Sequence, residues 1–230
     1  VSGATFTWSR AAVPGISNAS ASGAGTISEV LTNVTPNPID VTYRYIVSAN
    51  GCTNSSAYDV VVRVNPTPIL NTPLTATPVC NNSVFDYIPS SVTQGVVFAW
   101  SRATVAGISN VAATGTGNPH ETLVNTTTSP IDVVYTYTLT ANGCTNTQNV
   151  TVRVFPTPML TSTLAPGAIC NNSTFNYTPT SSTTGTTFSW SRAAVAGITN
   201  IAATGNGNPA EVLVNTTTAP IDVTYVYTVA

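Results

Sequence analysis

The side chains of this sequence that could do chemistry are few, and most recur in copies. Arg10, Arg102 and Arg192 each follow a Trp by two residues and share its alternation parity. Glu29, Glu121 and Glu211 share parity with an apolar residue two positions later. Both groups therefore point toward an interior, where unpaired charge is costly, and a repeated structural ion pair is the expected chemistry. Asp40, Asp132 and Asp222 open a Tyr-rich segment with outward parity, suiting a turn or a share in a cation site. Calcium takes six to eight oxygens, and each copy offers too few carboxylates for that, so structure is the preferred role.

Catalysis finds little footing. His120 is the only His, and its counterpart in the next copy is Ala210, so a Ser-His-Asp arrangement could exist once at most. Gly115-Thr116-Gly117 and Gly205-Asn206-Gly207 lack the third Gly and following helix of a nucleotide loop and read as tight turns. A carboxylate pair for glycoside hydrolysis repeated in every copy would be odd. Trp8, Trp100 and Trp190 could stack on sugars, but their parity with Phe favours core packing. The expectation is a protein that is not an enzyme and uses no cofactor and no metal.

Composition narrows the partners. The chain holds six Arg and no Lys in 230 residues, eight carboxylates and a net charge of −2. Nucleic acid and anionic membrane both require dense basic surface, so neither is expected. No apolar run approaches the roughly 18 residues of a membrane helix, so no membrane insertion is expected here.

Positioning comes from internal repetition. Cys80–Thr140 and Cys170–Ala230 align without a gap at 41 of 61 identical positions. Trp-Ser-Arg recurs at Trp8, Trp100 and Trp190, and Asn-Gly-Cys ends at Cys52 and Cys144, so the period is about 90 residues. That is one small domain per copy. A two-residue slip between Cys52 and Cys80, against Cys144 and Cys170, is expected in the connection between copies. The connections, Asn65-Pro66-Thr67-Pro68 and Phe155-Pro156-Thr157-Pro158, favour short, extended, stiff linkers. The expected division is 1–68, the C-terminal part of one repeat; 69–158, a complete repeat; and 159–230, the N-terminal part of a third. The ends falling inside repeats suggest a window on a longer polymer, with strand exchange between chains as the rival reading.

The copies also expose strand faces. In 133–139 the odd positions stay apolar, matching Val41, Tyr43, Tyr45 and Val47 and Val223, Tyr225, Tyr227 and Val229, while the alternate positions drift. A period of two with one fixed face is a half-buried antiparallel strand. Tyr43, Tyr45, Tyr135, Tyr137, Tyr225 and Tyr227 join the three Trp as expected core aromatics. Phe98 and Trp100, Val150, Val152 and Val154, Phe85, Tyr87 and Leu123 mark further strands. About seven short strands per 90 residues describe an all-β chain of tandem immunoglobulin-like sandwiches.

The ordered pattern Cys-Asn-Asn-Ser, Phe98-Ala99-Trp100, Tyr135-Thr136-Tyr137, Asn142-Gly143-Cys144-Thr145 and a Val-rich strand ending in Pro resembles the PKD-like and Ig-like repeats of large secreted Bacteroidota proteins. It spans the whole chain, although Trp100-Ser101-Arg102 stands where the Trp-Asp-Phe-Gly-Asp-Gly signature of true PKD domains would be. The resemblance implies a cell-surface or extracellular protein, such as an adhesin, a gliding-motility adhesin or another type IX secretion substrate. In such a sandwich the first strand is expected to start at the end that carries the last hairpin, which would pair Cys80 with Cys144. Cys52 and Cys170 would then have partners outside the sequence, in an oxidising setting. The leading functional expectation is a semi-rigid, disulfide-locked spacer whose partners are neighbouring repeats. A surface poor in charge leaves sheet edges unguarded, so self-association into fibres is a further expectation. The alternative is a module that binds carbohydrate or a host surface by avidity.

Overall fold

The structure is a computed structural model, and it describes residues 3–230. Strands and turns account for all regular structure among them, with no helix. Short runs of Val, Thr, Tyr and Ile broken by Gly, Asn and Pro favour this outcome, because branched and aromatic side chains fit a pleated, half-buried surface.

The first repeat forms a single five-stranded sheet from β1 (Ala4–Arg10), β2 (Ala21–Ala24), β3 (Ile39–Ala49), β4 (Cys52–Thr53) and β5 (Tyr58–Val64). The second builds β6 (Val79–Cys80), β7 (Ser83–Phe85), β8 (Val97–Arg102), β9 (Ala113–Thr116), β10 (Glu121–Leu123), β11 (Ile131–Ala141) and β12 (Cys144–Phe155). Its larger sheet runs β6-β12-β11-β8-β9 and its smaller one is β10-β7. The third carries β13 (Ser173–Phe175), β14 (Phe188–Arg192), β15 (Ala203–Asn206), β16 (Glu211–Leu213) and β17 (Val226–Val229), in sheets β13-β16 and β15-β14-β17. The architecture is that of tandem Ig-like β-sandwiches.

The second repeat shows how the sandwich closes. Asn142 and Gly143 adopt φ of 51° and 79°, the left-handed pair that a tight two-residue hairpin requires. That turn sets the β11–β12 register without interruption from Ala141↔Cys144 to Ile131↔Val154. The register places Val133, Tyr135, Tyr137 and Leu139 on one face with Val150, Val152 and Val154, all fully buried. Phe85 and Leu123 from the small sheet cover them.

The first repeat has an analogous hairpin at Asn50-Gly51, but its register breaks. Ala49 faces Cys52 and Ser48 faces Thr53, whereas Tyr45 faces Tyr58, so two extra residues bulge out between β4 and β5. The two-residue slip therefore lies inside the final strand of the first repeat, not in the connection between copies. A polar Asn-Ser-Ser stretch on an edge tolerates such a bulge, whereas a Pro-rich linker held at both ends does not.

The linker between the first and second repeats is pinned. Asn65 donates through Nδ2 to the Asn142 carbonyl at 2.7 Å, and Asn146 donates to the Pro68 carbonyl at 3.0 Å. The Leu70 amide then donates to Gln148 Oε1 at 2.6 Å. The incoming chain thus lands on the hairpin end of β12, runs alongside it, and reaches Val79↔Val154 and Cys80↔Phe155 in parallel pairing.

Candidate functional site

The most elaborate polar arrangement in each sandwich is the cluster around its buried arginine. In the second repeat, β8 carries Trp100 and Arg102 on its inner face and β10 brings Glu121 beneath them. Arg102 makes a two-pronged contact with Glu121, Nε to Oε2 at 2.9 Å and Nη2 to Oε1 at 2.8 Å. The Tyr135 hydroxyl donates to the same Oε2 at 2.6 Å, and Arg102 Nη2 also donates to the Val111 carbonyl at 2.7 Å. The guanidinium stands 6.0 Å from the Tyr135 ring centre, and Trp100 meets that ring edge-on at 5.5 Å.

The same geometry appears twice more. Arg10 bonds Glu29 at 3.0 and 2.9 Å with Tyr43 donating at 2.6 Å. Arg192 bonds Glu211 at 2.8 and 2.9 Å with Tyr225 donating at 2.7 Å. All three Arg side chains are 1% exposed, against 17% for each Glu. The carboxylate is thus the end of the cluster nearer to water.

Electrostatics follow from these contacts. Arg10, Arg102 and Arg192 are raised, chiefly by their bonds to the glutamates. Glu29 is held down at about 2 by the Arg10 bond, aided by Tyr43. For Glu121 burial is the largest single influence and acts upward, but the bonds from Arg102 and Tyr135 together outweigh it and leave the group lowered. Tyr135 is pushed well above the ordinary phenol range by burial and by the neighbouring carboxylate. Every member is thus fixed in one protonation state near neutrality. No group in the cluster is poised to exchange a proton, so it is built for cohesion rather than acid–base work.

A glycine completes each copy. A Cβ on Gly115 would lie 2.6 Å from Trp100 Cζ2, and Gly23 and Gly205 stand in the same relation to Trp8 and Trp190 at 2.7 Å. Only Gly lets β9 lie flat over the indole. Gly115 and Gly205, read from the sequence as parts of tight turns, lie instead within β9 and β15, and Tyr43, Tyr135 and Tyr225, read as core aromatics, also donate to the Glu, a bond that sequence reasoning did not single out. Their fixed distances from the Glu and the Trp in every copy were the available signal.

The aromatic residues vary with their surroundings. Trp100, Tyr135, Tyr137, Tyr43 and Trp190 are buried, whereas Trp8, Tyr45, Tyr225 and Tyr227 are only partly so. The half-buried ones lie in the first and third repeats, which have fewer strands to cover them. Of the three Asp, Asp132 pairs with Arg153 across the hairpin at 2.9 Å with both side chains about half exposed. Asp40 stands opposite Arg63 in register. Asp222 is exposed just before β17. His120 sits on an exposed turn at a φ of 44°, with Nδ1 2.9 Å from Asp86 Oδ1. The equivalent Ala210 shares the φ, at 48°, so the turn does not depend on the imidazole.

The cysteine pairing requires correction. No two of Cys52, Cys80, Cys144 and Cys170 are bonded to each other in the structure. Cys144 opens β12, and Cys80 lies beside Phe155 at its far end. Eleven residues of strand separate the two ends, about 36 Å at roughly 3.3 Å per residue. A disulfide spans at most about 7 Å between α-carbons, so Cys80 and Cys144 of one repeat cannot join. The expectation erred because the chain entering the sandwich runs alongside β12, bridging it at Thr75↔Thr151 and pairing with it as strand only at Val79–Cys80, so that Cys80 is reached at the far end. Cys80 therefore belongs to the exit end, not to the hairpin end.

No helix among the described residues is long and apolar enough to cross a membrane. Nothing among curated proteins matches the chain. The PKD-like domain profile matches it three times, at residues 1–68, 77–158 and 167–230. Those spans follow the three sandwiches, and the chain belongs to the PKD-like domain family.

Proposed function

We propose that this chain is a structural segment of a long extracellular or cell-surface protein of the adhesin or filament type, in which sandwiches set end to end act as a semi-rigid spacer. The observation that carries the reading is the pinned junction, where Asn65 bonds the Asn142 carbonyl and Asn146 bonds the Pro68 carbonyl. A linker held by alternate prolines and by bonds to the next hairpin transmits orientation from one repeat to the next. PKD-like repeats are commonly structural modules of extracellular proteins, and the Bacteroidota surface proteins that the sequence resembles supply the adhesin context. Arginine clusters locked in one charge state suit a part that must hold its shape. Single-particle imaging tests the reading: straight, regularly beaded rods support it, and beads at random angles about the 65–68 linker would remove it.

Lateral association into fibres belongs to the same proposal. β9 and β15 are sheet edges without a charged side chain, so one of the usual guards against edge pairing is missing from them. Imaging discrete, unassociated rods at every salt concentration would count against fibres while leaving the spacer reading in place.

A further inference from the structure

The third repeat differs from the second on one side of its larger sheet. In the second, β12 covers the flank of β11, and Val133 and Tyr135 are fully buried. In the third, residues 221–225 occupy the corresponding position but are not strand, and Val223 and Tyr225 are partly open. Along that flank lies a groove of about 770 Å³ whose lining includes Leu160, Phe175, Tyr177, Leu213, Val223 and Tyr225. The counterparts of these six residues, Leu70, Phe85, Tyr87, Leu123, Val133 and Tyr135, are core residues beneath β12.

A polar detail fixes what the groove accepts. Asn125 splits its amide between the Ser129 carbonyl at 2.8 Å and the Val154 carbonyl of β12 at 2.9 Å. Asn33 does the same with Asn37 and with Val64 of β5. Asn215 donates to the Ala219 carbonyl, its bond to the turn, and has no strand carbonyl as second acceptor among the described residues. The groove thus has an amide donor placed for a strand backbone and an apolar floor for side chains at every second position.

The junction geometry then brings in cysteine. Asn65, which closes the first repeat, touches the Asn142 carbonyl of the Asn142-Gly143-Cys144 turn in the repeat that follows. The residue of the second repeat in the place of Asn65 is Phe155, and Cys80 is its direct neighbour in the sheet. A strand closing the third repeat would set its own Asn-Gly-Cys turn against Phe155, hence beside Cys80. The exposures agree with this pattern: Cys144, whose turn abuts the first repeat, is half-buried, whereas Cys52 and Cys80 are exposed.

We propose that the groove of the third repeat receives the closing strand of a PKD-like repeat, a strand of the Cys144–Phe155 kind, and that the cysteine opening this strand forms a disulfide with Cys80 across the boundary between repeats. The covalent lock of these proteins then joins successive repeats and not the two ends of one. Two thiols give up two electrons and two protons to a disulfide oxidant such as oxidised glutathione, which leaves as two thiols. The inference rests on the repeat architecture and on the extracellular setting proposed above, because a disulfide persists only in oxidising surroundings.

The test adds a synthetic peptide of residues 141–155 to the reduced 230-residue chain. Binding is followed by peptide fluorescence anisotropy, and oxidised glutathione is then added and linked peptides are mapped by mass spectrometry. Saturable one-to-one binding is expected, at least about tenfold tighter than for a peptide with Val150, Val152 and Val154 replaced by Thr. Bound peptide raises the local thiol concentration only at Cys80, so the mixed disulfide forms there in large excess over Cys52, Cys144 and Cys170. Cys80→Ser removes the link and leaves binding unchanged. Equal binding of the two peptides would overturn the strand assignment. Attachment spread evenly over the four cysteines, or favouring another one, would overturn the junction.

Discussion

Replacing Glu121 by Gln keeps the size of the side chain and removes its charge. Arg102 then keeps a full positive charge at 1% exposure, with the Val111, Ala103 and Asn110 carbonyls and a neutral amide as its remaining partners. Removing one member of a buried ion pair costs about 3–5 kcal/mol, because the other charge stays desolvated. The surviving carbonyl bonds and the partial exposure of Glu121 argue for the lower end, about 3 kcal/mol. For a domain of this size each kcal/mol moves the melting temperature by roughly 4–8 °C, so a fall of about 15 °C is expected for the second repeat. Differential scanning calorimetry of the chain reads this directly, since the second repeat has the most complete core. The double variant Arg102→Met with Glu121→Leu should recover most of the loss, because an apolar pair of similar volume leaves no charge to desolvate. A melting temperature within about 2 °C of the parent for Glu121→Gln, roughly a quarter to a half of a kcal/mol, would contradict a cluster that holds the sandwich together.

Other outcomes follow from the same contacts. Glu29, Glu121 and Glu211 are lowered in the folded state, so the stability they contribute is complete above the unfolded carboxyl value near 4.3 and is lost as pH falls through their folded values, about 2 for Glu29. Acid titration followed by near-ultraviolet circular dichroism should show unfolding inside that window, and a flat signal from pH 5 to 2 would contradict it. Gly115→Ala drives a Cβ into Trp100, so a loss of about 1–3 kcal/mol in urea unfolding is expected, with altered Trp fluorescence. Wild-type stability in that variant would mean that β9 moves freely away from the indole. Asp132→Asn breaks an exposed pair with Arg153 and should leave the melting temperature unchanged, because water screens both charges.

Much of this arrangement was legible because the chain supplies its own comparison. The fixed and drifting positions of 133–139 distinguished core face from water face without any relative, and β11 runs through that stretch with Val133, Tyr135, Tyr137 and Leu139 inward. The parity of Arg102 and Glu121 carried the ion pair, since inward charges require partners. Parity says which face a residue occupies, however, and not how far along the sheet it lies. Cys80 illustrates that limit: its position at the exit end depends on a strand running parallel to β12, a long-range pairing with no local sequence mark. The bulge between Thr53 and Tyr58 escaped for a related reason, as a two-residue insertion reads the same in a strand edge as in a linker until the register is seen.

The central claim is that successive sandwiches are held in fixed relation by a pinned linker, and residual dipolar couplings on segmentally labelled first and second repeats test it most directly. One shared alignment tensor for 4–64 and 69–155, collapsing to two on Asn65→Ala with Asn146→Ala, is the predicted result. Separate tensors in the unaltered chain would show independent beads and contradict the account.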